Sequence, residues 1–476
     1  MPKLDFHPSG RHFLQIPGPS PVPDRILRAL SLPTIDHRGP EFAALGRKVL
    51  GDMQRIFQTQ NPVLIYPTSG TGAWEAALVN TLSHGDHVLM YETGHFAALW
   101  SKLATALGLK AEVIAMPGLE ANGTPTNWRY GVQHDLIEAR LRADTAHHIR
   151  AVCVVHNETS TGVTSDIAAV RQAIDAAGHP ALLLVDTISG LAAADYRHDE
   201  WGVDVSISGS QKGLMLPPGL GFNAVSPKAL AASKHATFPK AFWGWHEMIE
   251  MNRTGYWPTT PATNLLYGLS EACDMLLDDG LDAVFARHKR WATATQAAVR
   301  AWGLEIQCAE PSVYSPILTG VMMPEGVDAD EVRKLIYERF DCSLGTGLGK
   351  VKGRMFRIVL RRRPSPGVVR VEKRLEQRLV RDHVVVKLHS ERLGVAIASA
   401  HARIRRPSAR GVVVVGADVA HGDRRHASER RKHDFGLPES PERDRRHVLR
   451  AARRGASASA HASRARRRRG PRRGAR

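Results

Sequence analysis

Asp186 ends the apolar run Ala181-Leu182-Leu183-Leu184-Val185-Asp186, and Lys212 lies in the small-residue stretch Ser208-Gly209-Ser210-Gln211-Lys212-Gly213. A carboxylate at the end of a buried strand, followed by a lysine in a tight turn, suits one chemistry well. Pyridoxal phosphate (PLP) needs a lysine to hold its aldehyde and an acid to keep its ring nitrogen protonated. A turn-capping aspartate and a surface lysine are the alternatives, and the apolar, small-residue context fits them poorly.

A second stretch points to a phosphate. Thr68-Ser69-Gly70-Thr71-Gly72-Ala73-Trp74-Glu75 follows an apolar strand and opens a helix. Glycines let the backbone approach an anion, and helix N-terminal amides and hydroxyls then bind it. A simple turn with a helix cap would give the same pattern. The GK[ST] of a Walker A loop and the GxGxxG of a dinucleotide site are both absent. Two other stretches imitate known motifs. Gly345-Thr346-Gly347-Leu348-Gly349-Lys350 has the wrong spacing for a P-loop, with Val351 where Ser or Thr belongs, and is expected to be a flexible turn. His246-Glu247-Met248-Ile249-Glu250 lacks the second His of a zinc helix, so no metal site is expected.

The elements that must position these residues alternate. Val63–Tyr66, Val88–Tyr91, Ala151–Val155, Leu182–Val185 and Val203–Ser208 are short apolar runs bounded by Gly, Asn, Asp or Pro. Helical patterns such as Trp74–Leu82, Ala97–Leu107 and Ile167–Ala177 fall between several of them. This rhythm predicts an α/β fold with a mostly parallel, doubly wound sheet. Ligands in such sheets sit beyond the carboxyl ends of the strands, where His156-Asn157-Glu158, Asp186 and residues 208–213 fall. A long helical stretch from about Pro261 and a smaller α/β unit from about Ser315 to Leu360 follow.

Composition sets the bounds. The 476 residues suffice for two domains or more, and no run of about 18 apolar residues predicts a membrane span. Residues 1–16 lack the apolar core of a secretory signal. Cys153, Cys273, Cys308 and Cys342 are scattered, which predicts reduced thiols and a cytoplasmic location. The net charge of +18 is uneven: residues 361–476 hold 33 of the 65 basic and 11 of the 47 acidic residues. The first 360 residues therefore carry 32 basic and 36 acidic side chains. The basic segment has 30 Arg, 3 Lys and a single aromatic, Phe435. It offers little apolar surface to offset the entropy of ordering, so most of it is expected to be disordered, with short helices such as Val371–Val380.

Together, Ile16-Pro17-Gly18-Pro19-Ser20, Ser69-Gly70-Thr71-Gly72, His156-Asn157-Glu158-Thr159-Ser160-Thr161-Gly162, Asp186, the Lys212 turn, Tyr256–Pro261 and Phe356-Arg357-Ile358 resemble the class V, fold-type I aminotransferases. The serine–glyoxylate and alanine–glyoxylate kinds are the most similar, the serine branch above all. The resemblance implies PLP as cofactor, with Lys212 holding it and moving the proton, and Asp186 facing its ring nitrogen. It implies Ser69, Gly70, Thr71, Gly72 and Gln211 around the phosphate, Thr159 near the phenolic oxygen, and Phe96 stacked on the ring. Phe96 could also be ordinary core. Tyr256 and Thr259 would reach the phosphate of a neighbouring subunit, which implies a homodimer with shared sites. Arg357 would hold the substrate carboxylate, beside Gly18. The implied reaction moves the amino group of L-serine to glyoxylate in two half-reactions.

The implied organisation is an N-terminal segment (1–20), a large cofactor domain (21–260), a small and incomplete C-terminal domain (261–360), and a basic tail (361–476). The resemblance stops after Ile358. The Arg-rich, Lys-poor tail is what an out-of-frame reading of a GC-rich gene would yield. Three rival readings follow from the residues: alanine as amino donor, a desulfurase using Cys342 as its thiol, and nonspecific nucleic-acid binding through the tail.

Overall fold

The computed structural model describes residues 12–121 and 123–359. The expectations for residues 361–476, including the helix at Val371–Val380, lie outside the described residues. Seven strands form the main sheet, in the spatial order Val63–Tyr66, Gly221–Val225, Val205–Gly209, Leu182–Asp186, Ile149–Val155, His87–Tyr91 and Lys110–Ile114. Gly221–Val225 is antiparallel to both neighbours, and every other pairing is parallel. Leu182–Asp186 is buried along its whole length, and Ile149–Val155 is buried except at Arg150, as their apolar runs require.

Two strands of this sheet carry no apolar run. Lys110–Ile114 is a half-exposed edge, and Gly221–Val225 contains a glycine and the buried Asn223. The Asn223 amide donates to the Ala73 carbonyl at 3.1 Å, so a polar residue is accepted inside the sheet. The predicted helices are present and begin earlier than their apolar patterns do, at Gly70–Thr81 and His95–Ala106, whereas Ile167–Ala176 starts at the predicted residue. Their first turns are made of small or polar residues that an apolar pattern does not register. Val203 is outside its strand because its amide turns back to the His198 carbonyl.

The second sheet has five strands, ordered Phe13–Gln15, Cys342–Thr346, Met355–Val359, Leu318–Met322 and Glu305–Ile306. Phe13–Gln15 runs parallel to Cys342–Thr346, and the other pairs are antiparallel. Helices Leu281–Ala301 and Ala329–Phe340 pack against it. Its core holds Val321, Val332, Ile336, Leu344 and Phe356. Gly345 and Thr346 end a strand, and Gly349–Val351 makes one 3-10 turn, so the expected flexible turn is instead regular structure. His246 and Glu247 lie on helix Trp245–Asn252, where His246 Nε2 meets Ser233 Oγ at 3.0 Å. Among the described residues, no helix is long and apolar enough to cross a membrane, and no cluster of ligating side chains could hold a metal ion.

Candidate active site

A cavity opens at the carboxyl ends of the central strands. Asp186 and Lys212 both line it, with Ser69, Gly70, Thr71 and Gln211 on one side. Phe96 and Thr159 line it as well. These eight expected residues are thus brought together from five separate segments. Gly72 lies one residue beyond the lining set, packed on Thr68. Tyr256 and Thr259 do not line the cavity of this chain; the Tyr256 hydroxyl donates to the Gly39 carbonyl at 3.4 Å, and Thr259 is exposed.

Asp186 is 4 % exposed. Its Oδ2 accepts the Trp74 indole N–H at 3.1 Å, and its Oδ1 accepts the Ile188 amide at 2.7 Å. Burial pushes its carboxyl up to about 7, with Glu158 adding to the rise. The Ile188 and Trp74 bonds and the Lys212 charge oppose it. A cation placed against this carboxyl would therefore relieve an unpaid desolvation. Trp74 stacks on Trp100, with centroids 5.8 Å apart, which fixes the indole.

Lys212 reaches across to the N-terminal segment. Its Nζ donates to the Pro17 carbonyl at 2.9 Å. Gly18, at φ +149, lies against the lysine stem: a Cβ there would fall 2.7 Å from Lys212 Cδ and Cε. Glycine is required at this close approach. The following Gly18–Pro19 peptide is cis. Ser20 Oγ donates to the Gln211 and Lys212 carbonyls at 3.0 Å, tying this segment to the lysine turn.

The residues present fit PLP. Helix Gly70–Thr81 points its N-terminus at the cavity and has no side-chain cap. Gln211 Oε1 is buried with no hydrogen-bond partner, beside the Gly209 backbone. An uncapped helix N-terminus offers N–H donors suited to a phosphate, whereas the Gln211 oxygen is an acceptor and calls for a donor. Phe96 follows Gly94 and His95 at the start of its helix, where Glu158 accepts the Phe96 and Ala97 amides at 3.4 and 3.2 Å. Glu158 is fully buried, which raises its pKa against the pull of Ser160 and those amides.

Arg357 is 5 % exposed and has no carboxylate ion-pair partner among the described residues. Its Nε donates to the Thr346 carbonyl at 2.8 Å and its Nη1 to the Thr159 carbonyl at 2.6 Å. Burial pulls its pKa down to about 10, with Glu158 opposing and Arg333 adding to the fall, so it stays charged at neutral pH. A buried guanidinium held, among the described residues, by two carbonyls has the chemistry to take a carboxylate.

Sequence reasoning placed Asn157 at the ligand end of the sheet without a role, and missed Trp74, Val155, Ile188 and Ser189 as wall residues. Trp74 was findable: it stands four residues after Gly70, on the same helix face. Asn157 and Ser189 exchange bonds at 2.8 and 2.6 Å, a pairing across 32 residues that carries no local signal. Cys342 is in a strand rather than a mobile loop, and burial pushes its thiol up to about 11, which is unsuited to a nucleophile.

The fold and this site define a class V aminotransferase, and the chain belongs to that family: the family model, aminotransferase class-V, matches residues 24–370. Enzymes of this family depend on PLP, and so does this one. The chain is 45 % identical to the serine–glyoxylate aminotransferase of Methylorubrum extorquens, over 73 % of this chain and 86 % of that one. It is 44 % identical to the L-aspartate–glyoxylate aminotransferase of Paracoccus denitrificans, over 72 % and 84 %. The crystal structure of an alanine–glyoxylate aminotransferase from Nostoc sp. matches with a TM-score of 0.65 and 28 % identity, over 73 % of this chain and 89 % of that one.

Proposed function

We propose that this aminotransferase transfers the amino group of L-serine to glyoxylate, giving hydroxypyruvate and glycine. The observation that carries the reading is Arg357, a buried guanidinium beside Thr159 of the cavity wall that lacks a carboxylate partner among the described residues. Both proposed substrates are small α-carboxylates. The 45 % identity to a serine–glyoxylate aminotransferase supports serine as the donor.

When bound, PLP supplies an electron sink for the substrate Cα. The rest of the work falls to the chain. Asp186, steadied by Trp74 and Ile188, would hold the ring nitrogen protonated. Phe96 would cover a ring face. Ser69, Gly70, Thr71, Gly72 and Gln211 would hold the phosphate, and Thr159 the phenolic oxygen. Lys212 Nζ would hold the cofactor aldehyde and, when free, would carry the proton away from the substrate Cα. Arg357 grips the carboxylate of each substrate in turn. Gly18 keeps the lysine stem in place.

Tyr256 and Thr259 stand away from the cavity of their own chain, and this supports a homodimer in which they complete the partner's phosphate site. The proposed division is an N-terminal segment over residues 1–20, a large cofactor domain over residues 21–260 and a small one over 261–360; of the first segment, Phe13–Gln15 pairs with the small sheet and Pro17 meets Lys212. Four free cysteines support a cytoplasmic location.

The 44 % identity to an L-aspartate–glyoxylate enzyme favours a second donor, aspartate. One experiment ranks the donors. Serine, alanine and aspartate are added separately to the PLP-loaded protein while its visible absorbance is followed, and glyoxylate is then added. Serine is expected to bleach the band fastest and glyoxylate to restore it, with hydroxypyruvate and glycine recovered. Bleaching by aspartate alone would replace serine as donor, and no response to any donor would reject the transaminase reading of the site.

A further inference from the structure

Beyond the Thr346 carbonyl, the stretch Gly345–Lys350 plays no part in the reading above, yet it touches both halves of the site. At one end, Gly345 pairs with Arg357 in the sheet, and the Thr346 carbonyl accepts Arg357 Nε at 2.8 Å. At the other end, Lys350 Nζ lies 2.6 Å from Glu92 Oε1 and 5.3 Å from the centroid of the Trp128 ring. Trp128 Nε1 donates to the same Glu92 oxygen at 2.8 Å, and the Asn127 amide donates to the Glu92 main-chain carbonyl. Glu92 leads directly into Thr93-Gly94-His95-Phe96, the segment that brings Phe96 to the cavity. Between the two ends, Gly349 has φ +54, and a Cβ there would meet His95 Nδ1 at 2.9 Å and Trp128 Cη2 at 3.0 Å. The stretch is therefore pressed at Gly349 onto the start of helix His95–Ala106 and onto Trp128, and pinned there by Lys350.

We propose that Lys350 is a positioning residue for the substrate carboxylate: by gripping Glu92 it holds the Thr346 carbonyl, and with it the Arg357 guanidinium, at a fixed place relative to Phe96. This rests on the reading of Arg357 as carboxylate receptor. Arg357 has two anchors, the Thr346 and Thr159 carbonyls, and only Thr346 belongs to the pinned stretch. If Lys350 lets go, one anchor can drift while the other stays, and the fork turns away from its acceptor. Small misplacements of such a group are felt strongly in binding and rate. The Lys350 side chain is 53 % exposed, so the ion pair alone is screened. The Trp128 face and the indole bond that fixes the Glu92 oxygen strengthen the contact.

The test uses the PLP-loaded enzyme and glycolate, a carboxylate that cannot accept an amino group. Glycolate Kd is measured by calorimetry, and KM and kcat for serine and glyoxylate by assay, in Lys350→Ala, Glu92→Gln, the double variant and the exchanged pair Lys350→Glu/Glu92→Lys. Each single change is expected to raise Kd and KM roughly 3–10-fold, with the cofactor band retained and the loss concentrated in KM rather than kcat. The double variant should be no worse than the worse single, and the exchanged pair should recover part of the loss. An unchanged glycolate Kd in Lys350→Ala overturns the proposal. So do additive losses in the double variant, which would mean that Lys350 attracts the carboxylate directly. Arg357→Lys separates the two readings: if it also leaves glycolate binding intact, the receptor assignment fails. If it weakens binding while Lys350→Ala does not, only the role of Lys350 fails.

Discussion

The Trp74 indole N–H and the Asp186 carboxylate meet at 3.1 Å in a fully buried contact, across 112 residues of sequence. Helix Gly70–Thr81, which offers its N-terminus to the cavity, thus also steadies the carboxylate at the other end of the same site. The helix-N-terminal end of the cavity and its Asp186 end share one rigid element.

This coupling predicts the behaviour of Trp74→Phe. The ring would still fill its place against Trp100, but the bond to Asp186 is lost. A hydrogen bond to a charged group contributes about 1.5 kcal/mol, so PLP affinity should fall roughly tenfold. Because that bond lowers the Asp186 pKa, the pKa should also rise further. Fluorescence titration of the apoprotein with PLP across pH checks both, and an unchanged Kd would count against the coupling.

Asp186 predicts a pH dependence of apoprotein stability. Its pKa is raised from an ordinary 3.8 to about 7 in the fold. Between those values the folded state binds more protons than the unfolded chain, so stability falls as pH rises through this window. The slope contributed is at most about 1.4 kcal/mol per pH unit. Asp186→Asn should remove that part of the slope and stabilise the apoprotein at pH 8, while weakening PLP binding. Urea melts of both apoproteins from pH 4 to pH 8 test the sign; an equal slope in the two would refute it.

Lys212→Ala should abolish turnover and the visible band of the lysine-bound cofactor. PLP should still bind noncovalently, because the helix N-terminus, Asp186 and Phe96 remain. A melt within a few degrees of the parent would show that the loss is chemical and not structural. Retained turnover would remove Lys212 from the reaction.

The parts of the fold legible in sequence were those where one local property decides the outcome. Leu182–Asp186 is buried on both faces, so its letters are continuously apolar and its position in the sheet centre follows. Asp186 and Lys212 were legible because a charge beside such runs is costly without a task. Lys110–Ile114 was not, since an edge strand needs no apolar run. Gly221–Val225 was not, since the buried amide N–H of its Asn223 finds a carbonyl 150 residues away. The same applies to Asn157 and Ser189, whose partnership exists only after folding. The Gly345–Lys350 stretch looked flexible because glycines normally mean freedom. Here Gly349 packs against His95 and Trp128, Gly347 against the Val351 carbonyl and Gly345 against Pro17.

Strand Phe13–Gln15 lies beside Cys342–Thr346, with His12 meeting Asp341 and Ser343 at 2.7 Å. A ribosome releases residue 13 long before residue 342. The N-terminal edge must therefore wait, unpaired, through the synthesis of nearly the whole described chain. Contacts of such sequence separation form late, and an unpaired strand edge is open to wrong partners meanwhile. Nascent-chain experiments that stop before residue 342 should thus find residues 13–15 protease-sensitive, and the small sheet should lock only once Cys342–Val359 has left the ribosome.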